Sequence, residues 1–585
     1  MSPHGRLFLT LLLRRPLKAL TIAWWRITGR RVRALGQLRA AAMELPLSYA
    51  YWLALHQSEQ RSAVHAEQDA ELPLLAVHLH CSAGQSPQAL RAAINSVLAQ
   101  FHQRWELYLT SSADPLPNLP ADARIHILDN SPLTRQAGMA LVAARTRAAH
   151  CVPLDADCTL APGALRAYAQ AMAASSANTL TVFYADQDER SLQNERRNPW
   201  LKPAWDENLF LAQDYISAAC TLPLEALRQS ELANATCPDA LAVYAMLTRL
   251  LIGPGALAAH HVRYVATTAP ANAWCRTLPG RRELVAAISQ TEVSEGQFGT
   301  LILNCSLPDS PPQVSVIIPT RDRLDLLQAC VAGVLHHTDY PNLELVIVDN
   351  DSVEPETLAY FQSIVRDARV KVVHWPHPYN YSAINNFAVN HASGAYICLL
   401  NNDTEIIHPD WLREMMAHAI RRGIGAVGAR LLYPDRTIQH AGVVVGMGGA
   451  AGHAHRGLPQ GNPGWFAQAW ITREATAVTA ACLVVEKRKF QAVGGLDERG
   501  LAIAYNDVDL CLKLRNAGWR NLYAAQAVLI HHESKSRRSD FEPDNLNRYK
   551  RELTVFQNRW GSTGFVDPTF HPNLDPASET YRLRL

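Results

Sequence analysis

Residues 314–350, VSVIIPTRDRLDLLQACVAGVLHHTDYPNLELVIVDN, decide the fold class of this chain. The runs at 314–318 and 343–348 are almost continuously apolar, which is typical of strands buried on both faces of a sheet. Leu324–His336 between them predicts a helix, and strand–helix–strand order predicts a parallel sheet. The next predicted strands are Val370–His374 and Tyr396–Leu400. We therefore predict an α/β fold with a mostly parallel, Rossmann-like sheet.

The same order of elements occurs earlier in the chain. Residues 74–80 and 105–109 predict strands, and residues 89–100 between them predict a helix. The stretches AAINSVLAQFHQRWELYL and ACVAGVLHHTDYPNLELVIV have matching order, which indicates an internal repeat and two tandem domains. We divide the chain into a basic helical segment (1–70), a first α/β domain (71–306), a second (307–540) and a C-terminal segment that wraps the second domain (541–585).

Composition excludes several functional classes. The chain has 585 residues, of which 48% are apolar and 18% charged, so it can bury a large core. The net charge of +2 is far below that of a typical nucleic-acid-binding domain, and we predict no nucleic-acid partner. Eleven scattered cysteines without a C-x-x-C pair argue against a disulfide framework or a structural zinc site. They favour a reducing cytoplasm.

Residues 1–40 form a basic segment with nine Lys or Arg residues and no acid. Its apolar run at 7–13 is too short to cross a bilayer, and no later run has 18 consecutive apolar residues, so we predict no transmembrane helix. With Trp24 and Trp25, the segment suits an interfacial helix on an anionic membrane, which would make the protein peripheral on the inner face of the plasma membrane. The alternative is a basic helix that packs on the body or on a partner.

Polar side chains follow three strands of the second repeat at the points where the strands end. In open α/β sheets, ligands bind at the carboxyl ends of the strands. Asp and Asn are also ordinary turn residues, but three such ends at one rim predict a binding site. The residues are Pro319, Thr320 and Arg321 after the first strand, Asp349, Asn350 and Asp351 after the second, and Asn401, Asn402 and Asp403 after the fourth.

A nucleotide diphosphate donor needs this arrangement of groups. Asp349 can accept hydrogen bonds from a base or ribose, and Asn401 and Asn402 can orient the donor sugar without adding charge. Asp403 can hold a divalent cation that neutralises the diphosphate leaving group.

A general base is required if the product is inverted. Asp507 is the best candidate, because Asn506-Asp507-Val508-Asp509 opens a predicted helix, where a carboxylate is stabilised. Acids are also common in first helical turns without any catalytic role. His531 and His532 follow an apolar strand and are plausible metal ligands, although a lone His is more often a core or surface group.

These motifs resemble the family 2 glycosyltransferases of the GT-A fold, and most closely the bacterial rhamnosyltransferase-like and O-antigen or capsule-assembling members, over residues 314–539. The resemblance implies inverting transfer of a hexose or deoxyhexose from a UDP-, dTDP- or GDP-sugar to a glycan or lipid-linked glycan, with Mn²⁺ or Mg²⁺. It implies a DxD-like metal motif at Asn401-Asn402-Asp403, a base in the pair Asn506-Asp507, and a late His ligand at His531 or His532.

Two departures from the family pattern affect the site. Asn401 stands where the first Asp of the metal motif is expected, so the metal has one carboxylate fewer. Asn506 stands where Glu usually precedes the base, which leaves Asp507 as the only acid of that pair.

The first repeat resembles the same fold but lacks key groups. Its Asp155 and Asp157 form a fuller DxD than the second repeat has. Its first two strands end in His80-Cys81-Ser82 and Thr110-Ser111-Ser112, and no acid opens the helix at 243–246. We predict a degenerate domain that supports the second domain, dimerises or holds the acceptor. The alternative is a bifunctional enzyme with both domains active.

The acceptor side has weaker signals. The Gly-rich stretch at 446–452 predicts a lid that brings His453 and His455 to the site, and Trp465 could stack on a sugar, although packing explains these residues equally well. A non-catalytic glycan- or nucleotide-sugar-binding subunit is a rival function. A nicotinamide-dependent enzyme is excluded because no G-x-G-x-x-G follows residues 314–318.

Overall fold

The computed structural model describes residues 3–27, 38, 41, 48–62, 71–82, 84–112, 120–128, 132–175, 180–229, 237–533 and 543–584. Part of the predicted basic N-terminal segment, including Arg30, Arg31, Arg33 and Arg39, lies outside these residues.

Helices flank two separate large sheets. In chain order they are α1 (Pro3–Arg14), α2 (Pro16–Ile27), α3 (Ser48–Ser62), α4 (Pro87–Leu98), α5 (Arg135–Arg145), α6 (Ala164–Ala174), α7 (Glu207–Ala212), α8 (Leu224–Gln229), α9 (Ala242–Leu251), α10 (Arg281–Ser289), α11 (Leu324–His336), α12 (Pro355–Ile364), α13 (Tyr381–His391), α14 (Trp411–Ala419), α15 (Lys487–Ala492), α16 (Asn506–Asn516) and α17 (Pro543–Trp560).

The strands of the first half are β1 (Leu75–Cys81), β2 (Trp105–Ser111), β3 (Ile125–Ile127), β4 (His150–Asp155), β5 (Thr159–Leu160), β6 (Thr181–Arg190), β7 (Arg196–Trp200), β8 (Cys220–Pro223), β9 (Ala258–Pro270), β10 (Glu292–Glu295) and β11 (Leu301–Asn304). Eight of them form one sheet in the order β3-β2-β1-β4-β8-β6-β9-β5, with β7 paired to β6.

The strands of the second half are β12 (Val314–Thr320), β13 (Leu343–Asp349), β14 (Val370–His374), β15 (Tyr396–Leu400), β16 (Thr404–Ile406), β17 (Ile424–Leu432), β18 (Ile438–His440), β19 (Val443–Val445), β20 (Ala451–His453), β21 (Arg473–Ala475), β22 (Cys482–Glu486) and β23 (Arg520–His531). The main order is β14-β13-β12-β15-β22-β17-β23-β16.

The two sheets share one topology, strand for strand. In each, the first four strands of the order are parallel, the fifth is antiparallel to both neighbours, the sixth and seventh are parallel, and the eighth is antiparallel. The predicted α/β class with two tandem domains is therefore confirmed.

The apolar run that decides the fold is buried on both faces, as its sequence predicts. Ile317 packs with residues of α13 on one face of the sheet. Val316 and Ile318 pack with residues of α11 on the other. The strand continues two residues past the predicted end to Thr320, whose carbonyl accepts a hydrogen bond from Asn350 N (2.8 Å).

The C-terminal part of the chain contacts both halves. Helix α17 packs on the second half, where Phe556 is buried in its core. Beyond it, Ala204 N of the first half donates to Pro568 O (2.8 Å), and Val445 N of the second donates to Asp567 Oδ2 (2.7 Å). Among the described residues, no helix combines the length and the apolar character that a membrane crossing requires.

Candidate active site

The turn after β15 and the end of β23 bring two predicted metal ligands together. Strand β16 starts at Thr404, directly after Asp403, and runs antiparallel to β23 with Thr404 opposite His531. This register places His531 Nε2 3.0 Å from Asp403 Oδ1, with both side chains buried. Two residues 128 positions apart therefore meet because one short ladder joins their strands.

Gln439 fixes the tautomer of His531. The Gln439 amide nitrogen lies 3.2 Å from the carboxylate of Glu533, so its oxygen faces His531 Nδ1, at 2.8 Å. In the neutral imidazole, Nδ1 therefore carries the proton and Nε2 keeps its lone pair, which can also accept from Asn401 Nδ2 (3.2 Å). A metal-ligating His usually donates its other N–H to such a partner.

The pair of Asp403 and His531 fits a divalent cation by its donor chemistry. With Nε2 unprotonated, two electron-pair donors face each other at 3.0 Å, and a cation is the group that such a pair accommodates. Burial raises the pKa of Asp403, but the hydrogen bond and charge of a protonated His531 outweigh it and lower that pKa, and a cation would take the place of the Nε2 proton. His532 turns away and pairs with Glu405 (3.3 Å), although its backbone N–H donates to Asp403 O (3.0 Å).

A hydrogen-bonded chain links this pair to the candidate base. The Tyr381 hydroxyl lies 3.4 Å from Asn401 Oδ1 and 3.0 Å from Ala480 O. Ala480 N donates to Asp507 Oδ2 (3.1 Å). Tyr381 and the backbone of Ala480 therefore connect Asn401 with Asp507, which brings the predicted metal motif and the predicted base into one region.

Asp507 is the second residue of helix α16, and Asp509 in the same helix has a different role. Asn506 Nδ2 donates to Ser382 Oγ (3.1 Å), which fixes the start of the helix. Asp509 is fully buried and accepts from Arg559 (2.8 Å) and Trp560 (3.0 Å) of α17. It anchors the C-terminal helix, whereas Asp507 remains partly exposed.

The predicted nucleotide rim is assembled around Thr320. Its hydroxyl accepts from Asn402 Nδ2 (3.0 Å), and its carbonyl accepts from Asn350 N. Asp349 accepts from Ser352 N (2.9 Å) through one oxygen and lies 3.2 Å from His374 Nδ1 through the other. Thr320, Asp349, Asn350 and Asn402 are therefore side by side at the carboxyl ends of β12, β13 and β15.

The remaining rim residues take other positions. Pro319 is buried within β12, and Arg321 and Asp351 are exposed in the loops that follow β12 and β13. Asp322 caps the loop before α12, because its Oδ1 accepts from Val353 N (2.8 Å) and Glu354 N (2.9 Å).

The histidines of the predicted lid separate into two groups. His453 Nδ1 lies 2.9 Å from His440 Nδ1, and burial lowers the pKa of His453 while the charge of Asp507 opposes this shift. His455 instead stacks on Tyr581 (4.5 Å between ring centroids) and accepts from Trp465 N (3.1 Å). Trp465 donates through Nε1 to Leu201 O of the first half (3.1 Å). His455 and Trp465 thus take part in packing between the halves and the C-terminal segment.

Four contributors to the site were not singled out from sequence. Gln439, Tyr381, His374 and His440 act through partners 13 to 99 positions away, so no local spacing marks them.

The equivalent rim of the first half has a different charge arrangement. Asp155 ends β4 and forms an ion pair with Arg135, the first residue of α5. Arg135 N also donates to Asp239 Oδ1 (2.8 Å), and Asp239 Oδ2 lies 3.0 Å from His80 Nε2. Burial and the neighbouring charge of Asp155 raise the pKa of Asp157. The fuller DxD of this half is therefore partly neutralised by an arginine.

Part of the second half matches a known protein family. Residues 315–442 match the model of Glycosyl transferase family 2. The chain is 38% identical over 525 residues to the uncharacterized protein y4gI of Sinorhizobium fredii, covering 83% of this chain and 56% of that one. It is 34% identical over 513 residues to the O-antigen biosynthesis protein RfbC of Myxococcus xanthus, covering 83% and 39%.

Among solved structures, the mannosyltransferase PcManGT of Pyrobaculum calidifontis, in complex with GDP-Man and Mn²⁺, is similar over 46% of this chain and 69% of its own, with 18% identity and a TM-score of 0.34. The chain spans 56% and 39% of the length of the two curated relatives. The rim of β12, β13 and β15 falls inside residues 315–442, the stretch that matches the family 2 glycosyltransferase model.

Proposed function

We propose that the second half transfers a sugar from a nucleotide-sugar donor to a glycan or lipid-linked glycan acceptor, with inversion, during surface polysaccharide biosynthesis. The observation that carries the proposal is the pair of Asp403 and His531, 3.0 Å apart, in one hydrogen-bonded network with Asp507. A cation site and a partly exposed carboxylate in one site are what transfer from a nucleotide diphosphate requires.

Asp403 and His531 would hold Mn²⁺ or Mg²⁺. When bound, this cation neutralises the charge that develops on the departing diphosphate. Asn401 supports His531 through its amide and adds no charge, which fits a site with a single carboxylate ligand. Asp349, Asn350 and Asn402, with Thr320, are proposed to bind the nucleotide of a UDP-, dTDP- or GDP-sugar, and the exposed Arg321 and Asp351 border that pocket.

Asp507 is proposed to act as the general base. The acceptor hydroxyl oxygen forms a new bond to the anomeric carbon, the bond from that carbon to the diphosphate oxygen breaks, and the hydroxyl proton passes to Asp507. The Ala480 N–H orients the carboxylate through Oδ2. His453, held by His440, is proposed to contact the acceptor beside Asp507.

The first half is proposed to be a supporting domain. Arg135 neutralises Asp155, and Val243 occupies the second position of α9 that Asp507 occupies in α16. We retain the division at residues 70, 306 and 540 as a proposal, with a cytoplasmic location for the reaction. The rivals are a bifunctional transferase with both halves active and a binding subunit without catalysis.

The test is transfer and donor hydrolysis with Mn²⁺ across UDP-, GDP- and dTDP-sugars, using the purified chain. We expect Asp403→Ala and Asp507→Asn each to lower turnover by about 100-fold or more, since each removes a group used in the reaction. Mn²⁺ binding, followed by electron paramagnetic resonance, should weaken only in Asp403→Ala.

Asp155→Ala is the matched control, because Asp155 ends the equivalent strand of the first half. It should leave turnover within about twofold. Loss of turnover in Asp155→Ala alone would assign catalysis to the first half. Donor binding that survives unchanged in Asp507→Asn, with no turnover of any donor and acceptor in the wild type, would support the binding subunit.

A further inference from the structure

Helices α1 and α2 carry an apolar stripe that faces solvent. Seven of the fifteen large apolar side chains that are exposed in the described chain lie in these two helices, and each is 38% to 84% exposed. They are Leu9, Leu12, Leu13, Leu17, Leu20, Trp24 and Ile27. Such a concentration within residues 3–27 is unusual, because exposed apolar residues are normally scattered singly.

The stripe is continuous along both helices. Leu13, Leu17, Leu20, Trp24 and Ile27 follow one another at intervals of four and three, the spacing of a single helical face. Hydrogen bonds from Arg15 N to Leu11 O (2.7 Å) and from Ala19 N to Arg15 O (3.1 Å) carry the helical pattern across the junction between α1 and α2.

The opposite side of the same helices already has its packing partners. Leu11, Ala19 and Ile22 are buried with Leu38 and Tyr51. The exposed stripe is therefore a second apolar face, which the fold of the described residues does not require for its own core.

The charge of the two helices selects the partner of the stripe. Arg14, Arg15, Lys18 and Arg26 are exposed on the same two helices, and residues 1–40 contain no acid. By the same helical spacing, Arg15 and Arg26 lie on the side of Ala19 and Ile22, so the cations belong to the two helices as a whole and not to the edges of the stripe. Helices that combine an apolar face with charged side chains of which all are cations suit the interface of an anionic bilayer, where the apolar side chains enter the acyl boundary and the cations meet lipid headgroups. A neutral protein groove would not need the uniform positive charge.

We propose that α1 and α2 form a surface that lies on anionic lipid, with the stripe from Leu9 to Ile27 inserted. This attachment would hold the transferase domain beside a lipid-linked acceptor. It is tested without any transfer assay, so its failure is separate from a failure of the proposed activity.

The experiment is co-sedimentation of the full chain with vesicles of phosphatidylcholine alone or with 30–40% phosphatidylglycerol (about the anionic fraction that polybasic segments need). We expect at least about tenfold stronger partition onto the anionic vesicles, and a loss of most of that gain in 0.5 M salt, roughly the range in which surface charges are screened. The triple variant Leu13→Glu/Leu17→Glu/Leu20→Glu should lower partition by at least about tenfold.

A matched variant separates the stripe from net charge. Leu192→Glu/Leu358→Glu/Val566→Glu adds the same three carboxylates at exposed apolar positions elsewhere and should partition like the wild type. Circular dichroism of both variants checks that they are folded. Equal loss in both variants, equal binding to neutral and anionic vesicles, or a stripe-dependent dimer in the absence of vesicles would each overturn the proposal, the last in favour of a second copy of the chain.

Discussion

The helix before the fourth strand begins with Arg135 in the first half and with Tyr381 in the second. Both helices are capped alike, by Thr134 accepting from Ala137 N and by Asn380 accepting from Ala383 N. Arg135 forms an ion pair with Asp155, whereas the Tyr381 hydroxyl lies 3.4 Å from Asn401 Oδ1. One topological position therefore holds a charged pair in one half and a neutral pair in the other.

This difference bears on the proposed cation site of the second half, where the DxD is incomplete. The position opposite the first residue of the short eighth strand is Thr268 in the first half and His531 in the second. The second half exchanges one carboxylate for an amide and gains an imidazole next to Asp403. The first half keeps both carboxylates, but the guanidinium of Arg135 lies beside Asp155, where a metal cation would have to bind.

The largest effect is expected from installing the first-half cation in the second half. In Tyr381→Arg, a guanidinium beside Asn401 would repel a metal cation at Asp403, so transfer should fall by about 100-fold or more. Tyr381→Phe, which removes only the hydroxyl, should lose about tenfold or less. Mn²⁺ affinity and turnover are the readouts, and Arg135→Tyr is the matched control that should change neither. Unchanged Mn²⁺ affinity in Tyr381→Arg would contradict this account.

A second difference lies in the first turn of the two equivalent helices, α9 and α16. The fourth residue is Ala245 in α9 and Asp509 in α16, where it binds Arg559 and Trp560 of α17. Asp509→Ala leaves these donors without their buried carboxylate and should lower the free energy of unfolding by about 2–4 kcal/mol. Denaturant unfolding measures the change, with the exposed Asp351→Ala as control. A loss equal to that of the control would show that α17 is held by its apolar contacts alone.

The sheet and its rim could be predicted from sequence, whereas the partners within the site could not. The runs at 314–318 and 343–348 are apolar on both faces, and the turns after them place polar residues at a common edge, so local pattern suffices. The ion pair of Arg135 and the contacts of Tyr381 arise because the first residue of a helix lies next to the carboxyl end of a strand, and the sequence does not show which helix and which strand meet. The interaction of Gln439 with His531 spans 92 positions and requires the register of three strands. Likewise, the sequence suggests that Trp465 could stack on a sugar, yet its indole N–H donates to the carbonyl of Leu201 in the first half.

A smaller effect is expected from restoring the missing carboxylate. Asn401→Asp places a second carboxylate near Asp403. Because a tyrosine lies at position 381, where the first half has Arg135, the charge of the new carboxylate stays available to a cation. Mn²⁺ affinity should rise by about tenfold or less, and turnover should change little, because the sugar still leaves from the same cation site. Isothermal titration with Mn²⁺ checks this. The double variant Asn401→Asp/Tyr381→Arg, which copies the first half, should bind Mn²⁺ more weakly than Asn401→Asp, and a tighter double variant would contradict the role assigned to Arg135.

The smallest effect concerns the contact between the halves. Asp206 caps α7 in the first half and accepts from Glu474 N of the second (2.7 Å), and Arg520 lies 3.1 Å from the Glu474 carboxylate. Burial and the charge of Asp206 raise the pKa of Glu474 to about 7 against the opposing charge of Arg520. A carboxyl whose pKa is raised on folding stabilises the folded state most below its unfolded pKa, and this stabilisation is lost as pH rises through the folded pKa.

The comparison of wild type with Glu474→Gln isolates this group. Buried histidines with lowered pKa, such as His440 and His455, change the total stability in the opposite direction over the same interval. The difference in free energy of unfolding, wild type minus variant, should therefore fall between about pH 4.5 and pH 7 by on the order of 1 kcal/mol. Urea unfolding at four pH values measures it, with the exposed Glu356→Gln as a control that should show no such trend. A flat difference for Glu474→Gln would mean that Arg520 compensates the charge of Glu474 fully, and that a permanent ion pair within the second half, rather than a protonated carboxyl, lies at the contact with the first half.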